Sequence, residues 1–309
     1  MANAAAPAGS SNIAFRTDDG AILRGWHFLP KNGGADRAPL IVLHHGFSGV
    51  KEFYLDKFAD VFAEAGLGAL VYDPRGFGDS EGRIRQEIDP FQQVSDFRDA
   101  ISFGSTLPRV DPDRIGVWGC SYGGGVAIQA TALDQRIGCI VVQVPFLSGG
   151  GYWSQVPPEA RKHLSQIFAQ DRRARATGQL PMMAAVAAED TTKTLCVLPT
   201  QDSWEFCTRQ MAPIAPNWKN EVTLRSFEMI GSFEPLAYLH RITPRPLMFI
   251  GAENDSLIPF ELAKQAFETV GEPKQLLALP SGHFDCYGAD FERSASAARD
   301  WYVKHLVAR

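Results

Sequence analysis

Cysteine is scarce in this chain, and what there is forms no pattern. The five cysteines, Cys120, Cys139, Cys196, Cys207 and Cys286, are an odd number without a C-x-x-C pair, which argues against a disulfide framework or a structural zinc site and leaves most of them as expected buried small hydrophobes. A basic excess is missing too. Lys and Arg total 30 against 35 Asp and Glu, a net charge of -5, so there is no field for a nucleic-acid backbone. The one basic cluster, Arg172, Arg173 and Arg175, reads as the solvated face of a helix. A mean hydropathy of -0.13 leaves no room for several membrane spans. Residues Met1 to Ser11 have neither a basic n-region nor an apolar h-region and read as a frayed tail, so a cytoplasmic location is the default expectation. Clustered His/Cys ligands, a dinucleotide fingerprint and internal repeats are likewise absent, and no metal or organic cofactor is expected.

What remains is ordinary soluble composition, 45% hydrophobic and 21% charged over 309 residues, enough for one large α/β domain with an insertion. Two alternating stretches between Ile13 and Pro30 predict an antiparallel hairpin turning at Asp19-Gly20, at the edge of a sheet. After a Gly33-Gly34 loop the pattern becomes a continuous apolar run, Pro39 to His44, the mark of a strand covered on both faces. Helix and strand then alternate: helix Lys51 to Ala65, strand Gly68 to Tyr72, helix Pro90 to Leu107, strand Arg114 to Trp118, helix Tyr122 to Leu133, strand Ile137 to Val144. Such alternation implies right-handed crossovers and a mostly parallel sheet with helices on both faces. Asp89-Pro90 suits the start of the second helix, with a carboxylate at the N-cap and proline at N1. The rhythm lapses from Phe146 to about His240, predicting a mostly helical cap, with helices over Pro158 to Thr177 and Leu224 to Leu239. It resumes with strand Pro246 to Ile250, helix Phe260 to Val270, strand Lys274 to Leu279 and a closing helix from Phe291 to Leu306. The expected organisation is residues 1–145 and 241–309 as one core of about eight strands, with 146–240 inserted as the cap.

Gly119-Cys120-Ser121-Tyr122-Gly123 follows an apolar strand directly and precedes a helix directly. This G-x-S-x-G is a nucleophile elbow: the turn is so tight that Ser121 must be strained and its neighbours must be small. A serine needs a base to take its proton. Among seven histidines His283 stands out, in the loop Pro280-Ser281-Gly282-His283 after the last apolar strand, at the edge where open parallel sheets bind ligands. An imidazole needs an acid to fix its tautomer. Asp255, after the strand Pro246 to Ile250, is preferred to Glu253, which comes too soon after the strand, and to Asp285, which would have to fold back. A tetrahedral oxyanion needs preorganised amides, each worth roughly 3 kcal/mol. Those of Tyr122, heading its helix, and Phe47, in the turn His44-His45-Gly46-Phe47, are the candidates. Asp73 and Asp79 are expected to stabilise a loop.

Together, HHGFSG, YDPRGFGDSEG, GCSYGG, GAENDSLIP and SGHFD resemble the α/β-hydrolase superfamily over nearly the whole chain. The resemblance implies the α/β-hydrolase fold, the chain order Ser121, Asp255, His283 for the catalytic groups, and acyl chemistry through an acyl-enzyme on Ser121. More narrowly, the stretch from Val50 to Gly82, with EIDPFQQVSDFRDAI and VDPDRIGVWG, looks like a dienelactone-hydrolase-like group that includes fungal polyketide transferases and thiohydrolases. Dienelactone hydrolases themselves use a cysteine nucleophile, whereas here Cys120 precedes Ser121 and is expected to point into the core.

Tyr152, Trp153, Trp204, Phe206 and Trp218 of the cap, with Phe47, Tyr122 and Phe146, are the candidate lining of an apolar acyl pocket. The expected partner is a small-molecule acyl substrate, with an alcohol or amine acceptor if water is excluded. The leading expectation is a serine hydrolase of an ester, thioester or lactone with a hydrophobic or aromatic acyl group. The alternatives are an acyltransferase of polyketide or other secondary metabolism, a C–C bond hydrolase, and a non-catalytic ligand-binding shell of the same fold.

Overall fold

The structure, a computed structural model, describes residues 5–31 and 37–308; the Gly33-Gly34 loop lies outside the described residues. The chain opens with the expected hairpin, β1 (Ser10–Arg16) against β2 (Ile22–Phe28). Strand β1 begins inside the stretch expected to fray, where Pro7 O accepts bonds from both the amide and the hydroxyl of Ser10. The alternation follows as β3 (Ala38–His44), α1 (Leu55–Glu64), β4 (Gly68–Tyr72), α2 (Pro90–Gly104), β5 (Val110–Cys120), α3 (Tyr122–Leu133) and β6 (Ile137–Gln143). Every residue of β3 and β4 is buried, as continuous apolar runs require in a sheet covered on both faces. Helix α1 starts later than expected because Tyr54 turns left-handed at φ 63° just before it. Asp89 caps α2 through the Gln92 amide at 3.2 Å, with Pro90 at the first helical position. Helix α3 is buried from Tyr122 to Ala132, so it is a core helix without a wet face.

The insertion contains α4 (Gly149–Gln155), α5 (Pro158–Ala176), β7 (Met183–Ala187), β8 (Cys196–Leu198), α6 (Gln201–Trp204) running into a π-helical turn over Glu205–Met211, β9 (Val222–Thr223), α7 (Leu224–Ile230) and a 3₁₀ turn over Pro235–Arg241. The insertion is mostly helical, as expected, and also carries a three-stranded sheet ordered β8-β7-β9, whose strands are too short to show a period of two in sequence. The helix expected over Leu224 to Leu239 is two pieces, interrupted between Ile230 and Pro235. Arg172 is 66% exposed and bonds Glu228, while Arg175 bonds Asp171 on its own helix. The core closes with β10 (Leu247–Ala252), α8 (Phe260–Thr269), β11 (Lys274–Leu279) and α9 (Phe291–Tyr302), extended by a π-helical turn to Val307.

The main sheet has eight strands in the order β1-β2-β4-β3-β5-β6-β10-β11. From β4 to β11 all pairings are parallel. Because β10 pairs directly with β6, the whole insertion leaves and returns between neighbouring strands, above one edge of the sheet. The chain reverses its direction of travel across the sheet between β3 and β5, and such a switch point opens a crevice at the carboxyl ends of the strands. Among the described residues no helix is long and apolar enough to cross a membrane.

Under that edge lies a buried ion cluster. Lys51 is 2% exposed, and its Nζ lies 2.7 Å from Asp73 and 2.9 Å from both Asp79 and Glu52. Burial opposes the ammonium's charge, but Asp73 and Glu52 outweigh it and hold the Lys51 pKa above its ordinary value. The Lys51 amide also donates to Asp73 at 2.8 Å. Asp73 and Asp79 thus stabilise a loop as expected, and the loop is the one that follows β3. Lys51→Ala would strand buried carboxylates without their cation, a loss of about 3–5 kcal/mol. Urea unfolding should show that drop; an unchanged midpoint would mean water replaces the ammonium.

Candidate active site

Strand β5 and helix α3 meet at Ser121, whose backbone sits at φ 53°, ψ -124°, a region that costs a non-glycine residue on the order of 1–3 kcal/mol. The neighbours make the turn possible. A Cβ on Gly119 would lie 2.2 Å from the Gly123 carbonyl oxygen, and one on Gly123 would lie 2.3 Å from that of His45. Backbone bonds hold the turn: the Ser121 amide donates to Gln143 O at 2.8 Å, and Ser121 O accepts from Gly124 and Phe146 at 2.9 and 2.8 Å.

The loop after β11 brings His283 over this turn, with Nε2 3.1 Å from Ser121 Oγ. On the other side of the ring, Nδ1 lies 2.7 Å from Asp255 Oδ2. The second Asp255 oxygen is occupied by the amides of Leu257 and Ile258, each at 2.8 Å, so the carboxylate cannot swing away. Both side chains of the pair are 2% exposed. Burial alone would lower the imidazole pKa, but the charge and hydrogen bond of Asp255 outweigh it and leave His283 raised. An ionised Asp255 fixes the proton on Nδ1, and Nε2 is then the acceptor that faces the serine hydroxyl. The rival acids are elsewhere: Asp285 folds back only as far as the Gly282 amide, at 2.8 Å, and Glu253 is exposed.

Ser121 lies below the first amides of α3, where a helix leaves its donors without intrahelical acceptors. The loop after β3 runs against it: a Cβ on Gly46 would stand 3.3 Å from Ser121 Cβ, which places the His45-Gly46-Phe47 backbone beside the hydroxyl. That loop is held by a neutral histidine. Burial pushes the His45 pKa down to about 4, and its Nε2 bonds Phe53 O at 2.7 Å. Residues 41–295 match the model described as the alpha/beta hydrolase family.

The chain belongs to the α/β-hydrolase family.

Its relatives narrow the likeness. A protein named thiohydrolase from Eupenicillium brefeldianum is 34% identical over 285 residues, 91% of this chain and 90% of the relative. Polyketide transferase grgF from Penicillium sp is 30% identical over 298 residues, 96% and 97% of the two chains. The crystal structure of the α/β hydrolase GrgF superposes with a TM-score of 0.81 at 28% identity, covering 96% of this chain and 99% of that one.

In this α/β-hydrolase the space at Ser121 is small, a cavity of about 20 Å³, room for a water or two. Its roof comes from the insertion through Leu198, Phe206 and Cys207, and its walls from Phe47, Phe53, Phe284 and Tyr287. Burial pushes the Cys207 thiol up to about 12, so at neutral pH it is an apolar contact rather than a nucleophile. Of the aromatics expected to line an acyl pocket, Phe47 and Phe206 border this cavity, and Tyr122, Phe146, Tyr152, Trp153, Trp204 and Trp218 do not. Phe146 stacks on Phe233, and Trp153 lies flat on Phe227 at 5.6 Å. Tyr152 donates its hydroxyl to Val197 O, Trp204 turns at the head of the π-helical segment, and Trp218 packs one layer out, on Phe53. A long insertion needs a core, and these rings build it. Leu198 carried no sequence signal of its own, whereas Phe284 did, as the immediate neighbour of His283. Cys120 is buried as expected, its Sγ accepting from Gln143 Nε2 at 3.7 Å, away from the cavity.

The strain at Ser121 is separable from its chemistry. Ser121→Gly relieves the positive φ while Ser121→Ala keeps it, so the glycine variant should be the more stable by about 1–2 kcal/mol in denaturant titration. Equal stability of the two would mean that the turn is not strained.

Proposed function

We propose that this α/β-hydrolase is a serine acyl hydrolase acting on an ester or thioester of an apolar small-molecule acyl group, through an acyl-enzyme on Ser121. The observation that carries the reading is the relay in which His283 bridges Ser121 and Asp255 at 3.1 and 2.7 Å. In this reading Ser121 Oγ attacks the acyl carbonyl carbon as its proton passes to His283 Nε2, and the ring's new charge is balanced by Asp255. The negative charge that develops on the carbonyl oxygen is met by the amides of Phe47 and Tyr122. Collapse expels the alcohol or thiol, which takes the proton from His283 and leaves the acyl group on Ser121. An acceptor then attacks with His283 again as base, and the serine is restored. Residues 146–240 act as the cap that covers these steps.

With water as acceptor the product is a free acid, in keeping with the thiohydrolase among the relatives. The second reading, acyl transfer to an alcohol or amine, is favoured by the apolar side chains Phe47, Phe53, Leu198, Phe206 and Phe284 around Ser121, which shed the water that would compete with a captured acceptor. A relative named polyketide transferase agrees with it.

Ser121→Ala should abolish both turnover of an activated aryl ester and labelling by a fluorophosphonate; labelling that persists would place the nucleophile elsewhere. Product analysis with added alcohol separates the two readings: a transferase gives mainly new ester at alcohol concentrations far below that of water, whereas a hydrolase still gives mainly free acid. The pH profile follows from His283. The neutral imidazole is the active form, so kcat/KM should fall as pH drops through a pKa raised above the ordinary 6.5. Asp255→Asn should move that acid limb to lower pH and cost about 10⁴ in kcat, as loss of the tautomer-fixing acid does in this mechanism. An acid limb that stays in place in the variant would remove Asp255 from the relay.

A further inference from the structure

Between β8 and β9 the insertion sends one short segment, Pro216 to Lys219, down to the core. It is fastened to the cap by Asn220, whose side chain accepts from the Ala187 amide at 3.0 Å and donates to Ala187 O at 2.9 Å on β7. Its two inward residues reach the loop that carries Phe47. Trp218 Nε1 bonds Ser48 Oγ at 3.4 Å, and its ring lies 5.5 Å from that of Phe53. Asn217 Nδ2 donates to Asp79 Oδ1 at 2.7 Å, and the other Asp79 oxygen takes the buried Lys51 ammonium at 2.9 Å. The cap therefore grips the loop at Ser48, the next residue after Phe47, and again through Asp79 at Lys51. Ser48 is itself held at φ 57°, a left-handed conformation that persists in a non-glycine residue only where its surroundings hold it. Phe53 passes the packing on, since its carbonyl is the acceptor for His45 Nε2.

Leu198, Phe206 and Cys207 of the insertion border the narrow space at Ser121, so a bulky acyl group bound there would push that roof outward. Lifting it would draw Asn217 and Trp218 away with the cap. We propose that Asn217 and Trp218 are positioning residues that couple closure of the cap to placement of the Phe47 amide, so that the oxyanion site is complete only when the cap is shut. The proposal rests on the reading of Ser121 above. Its consequence is that attack on the acyl carbonyl, in either direction, proceeds under the closed cap. Water admitted by an open cap meets an acyl-enzyme whose oxyanion donor is loose.

The test uses the full chain with Trp218→Phe, which keeps a ring on Phe53 and removes the Nε1 donor, Asn217→Ala, and Lys219→Ala as a control on the same segment. Three quantities are read: kcat and KM on an aryl ester, the affinity for an aryl trifluoromethyl ketone, and the thermal midpoint. The ketone carbon bonds to Ser121 Oγ as the proton passes to His283, and its oxygen takes up the negative charge in the oxyanion site. A donor misplaced by a fraction of an ångström costs less than its removal. Each of the two variants should lose about tenfold in kcat, with KM within about twofold of wild type. Ketone affinity should weaken by the same factor as kcat, with the melting midpoint and the Lys219→Ala control unchanged. Unchanged kcat and ketone affinity, or a rise in KM alone, would overturn the coupling. If Trp218→Phe does not fold, Asn217→Ala decides by itself. Turnover that survives Ser121→Ala would instead overturn the reading of the site, an outcome visible without either cap variant.

Discussion

The left-handed turn at Ser121 is the constraint around which the rest of the molecule is arranged. It requires glycine on both sides, because a Cβ at Gly119 or Gly123 would penetrate the backbone of the other turn or of the loop after β3. It requires a helix that can be buried on all sides, and α3 is one. It requires fixed backbone partners, which Gln143 at the end of β6 and Phe146 just after it provide. The local cost of on the order of 1–3 kcal/mol is carried by a sheet whose parallel pairing lies in the most buried part of the protein.

Burial has two different outcomes for the histidines at this edge. His44 and His45 are enclosed among aromatic rings and backbone carbonyls, and each is pushed down to about 4, which makes them neutral struts of the loop. His283 is equally enclosed, yet its pKa is raised because Asp255 stands against Nδ1. A single carboxylate separates an imidazole held neutral by burial from one whose protonated form is favoured. The same edge holds Lys51 with three carboxylates, so the loop on one side of Ser121 is anchored by charge and the turn beneath it by backbone bonds.

The insertion contributes packing first and lining second. Its larger aromatics face one another, with Trp153 against Phe227 and Phe168, and only Leu198, Phe206 and Cys207 reach the cavity. Phe206 and Cys207 sit on a π-helical turn, a widened geometry frequent at functional sites. Here it presents consecutive residues to the space above Ser121.

From the sequence alone, the order of core strands and helices, the tight turn at Ser121, and the meeting of Ser121, Asp255 and His283 at one sheet edge were all legible. Each rests on a local rule: apolar runs for covered strands, a capping carboxylate before proline at α2, small residues around a strained turn, and loops at the carboxyl ends of parallel strands. The three-stranded sheet of the cap, the break within the helix after Leu224, most of the cavity lining and the partners of Lys51 were decided only by tertiary structure. Strands as short as β8 and β9 leave no periodicity, and a ring that packs inside a cap has the same sequence signature as one that faces a ligand. Which side chains approach Ser121 from above depends on where the insertion folds back across the sheet edge. That placement is set by pairings such as Asn217 with Asp79 and Trp218 with Ser48, between residues far apart in the chain.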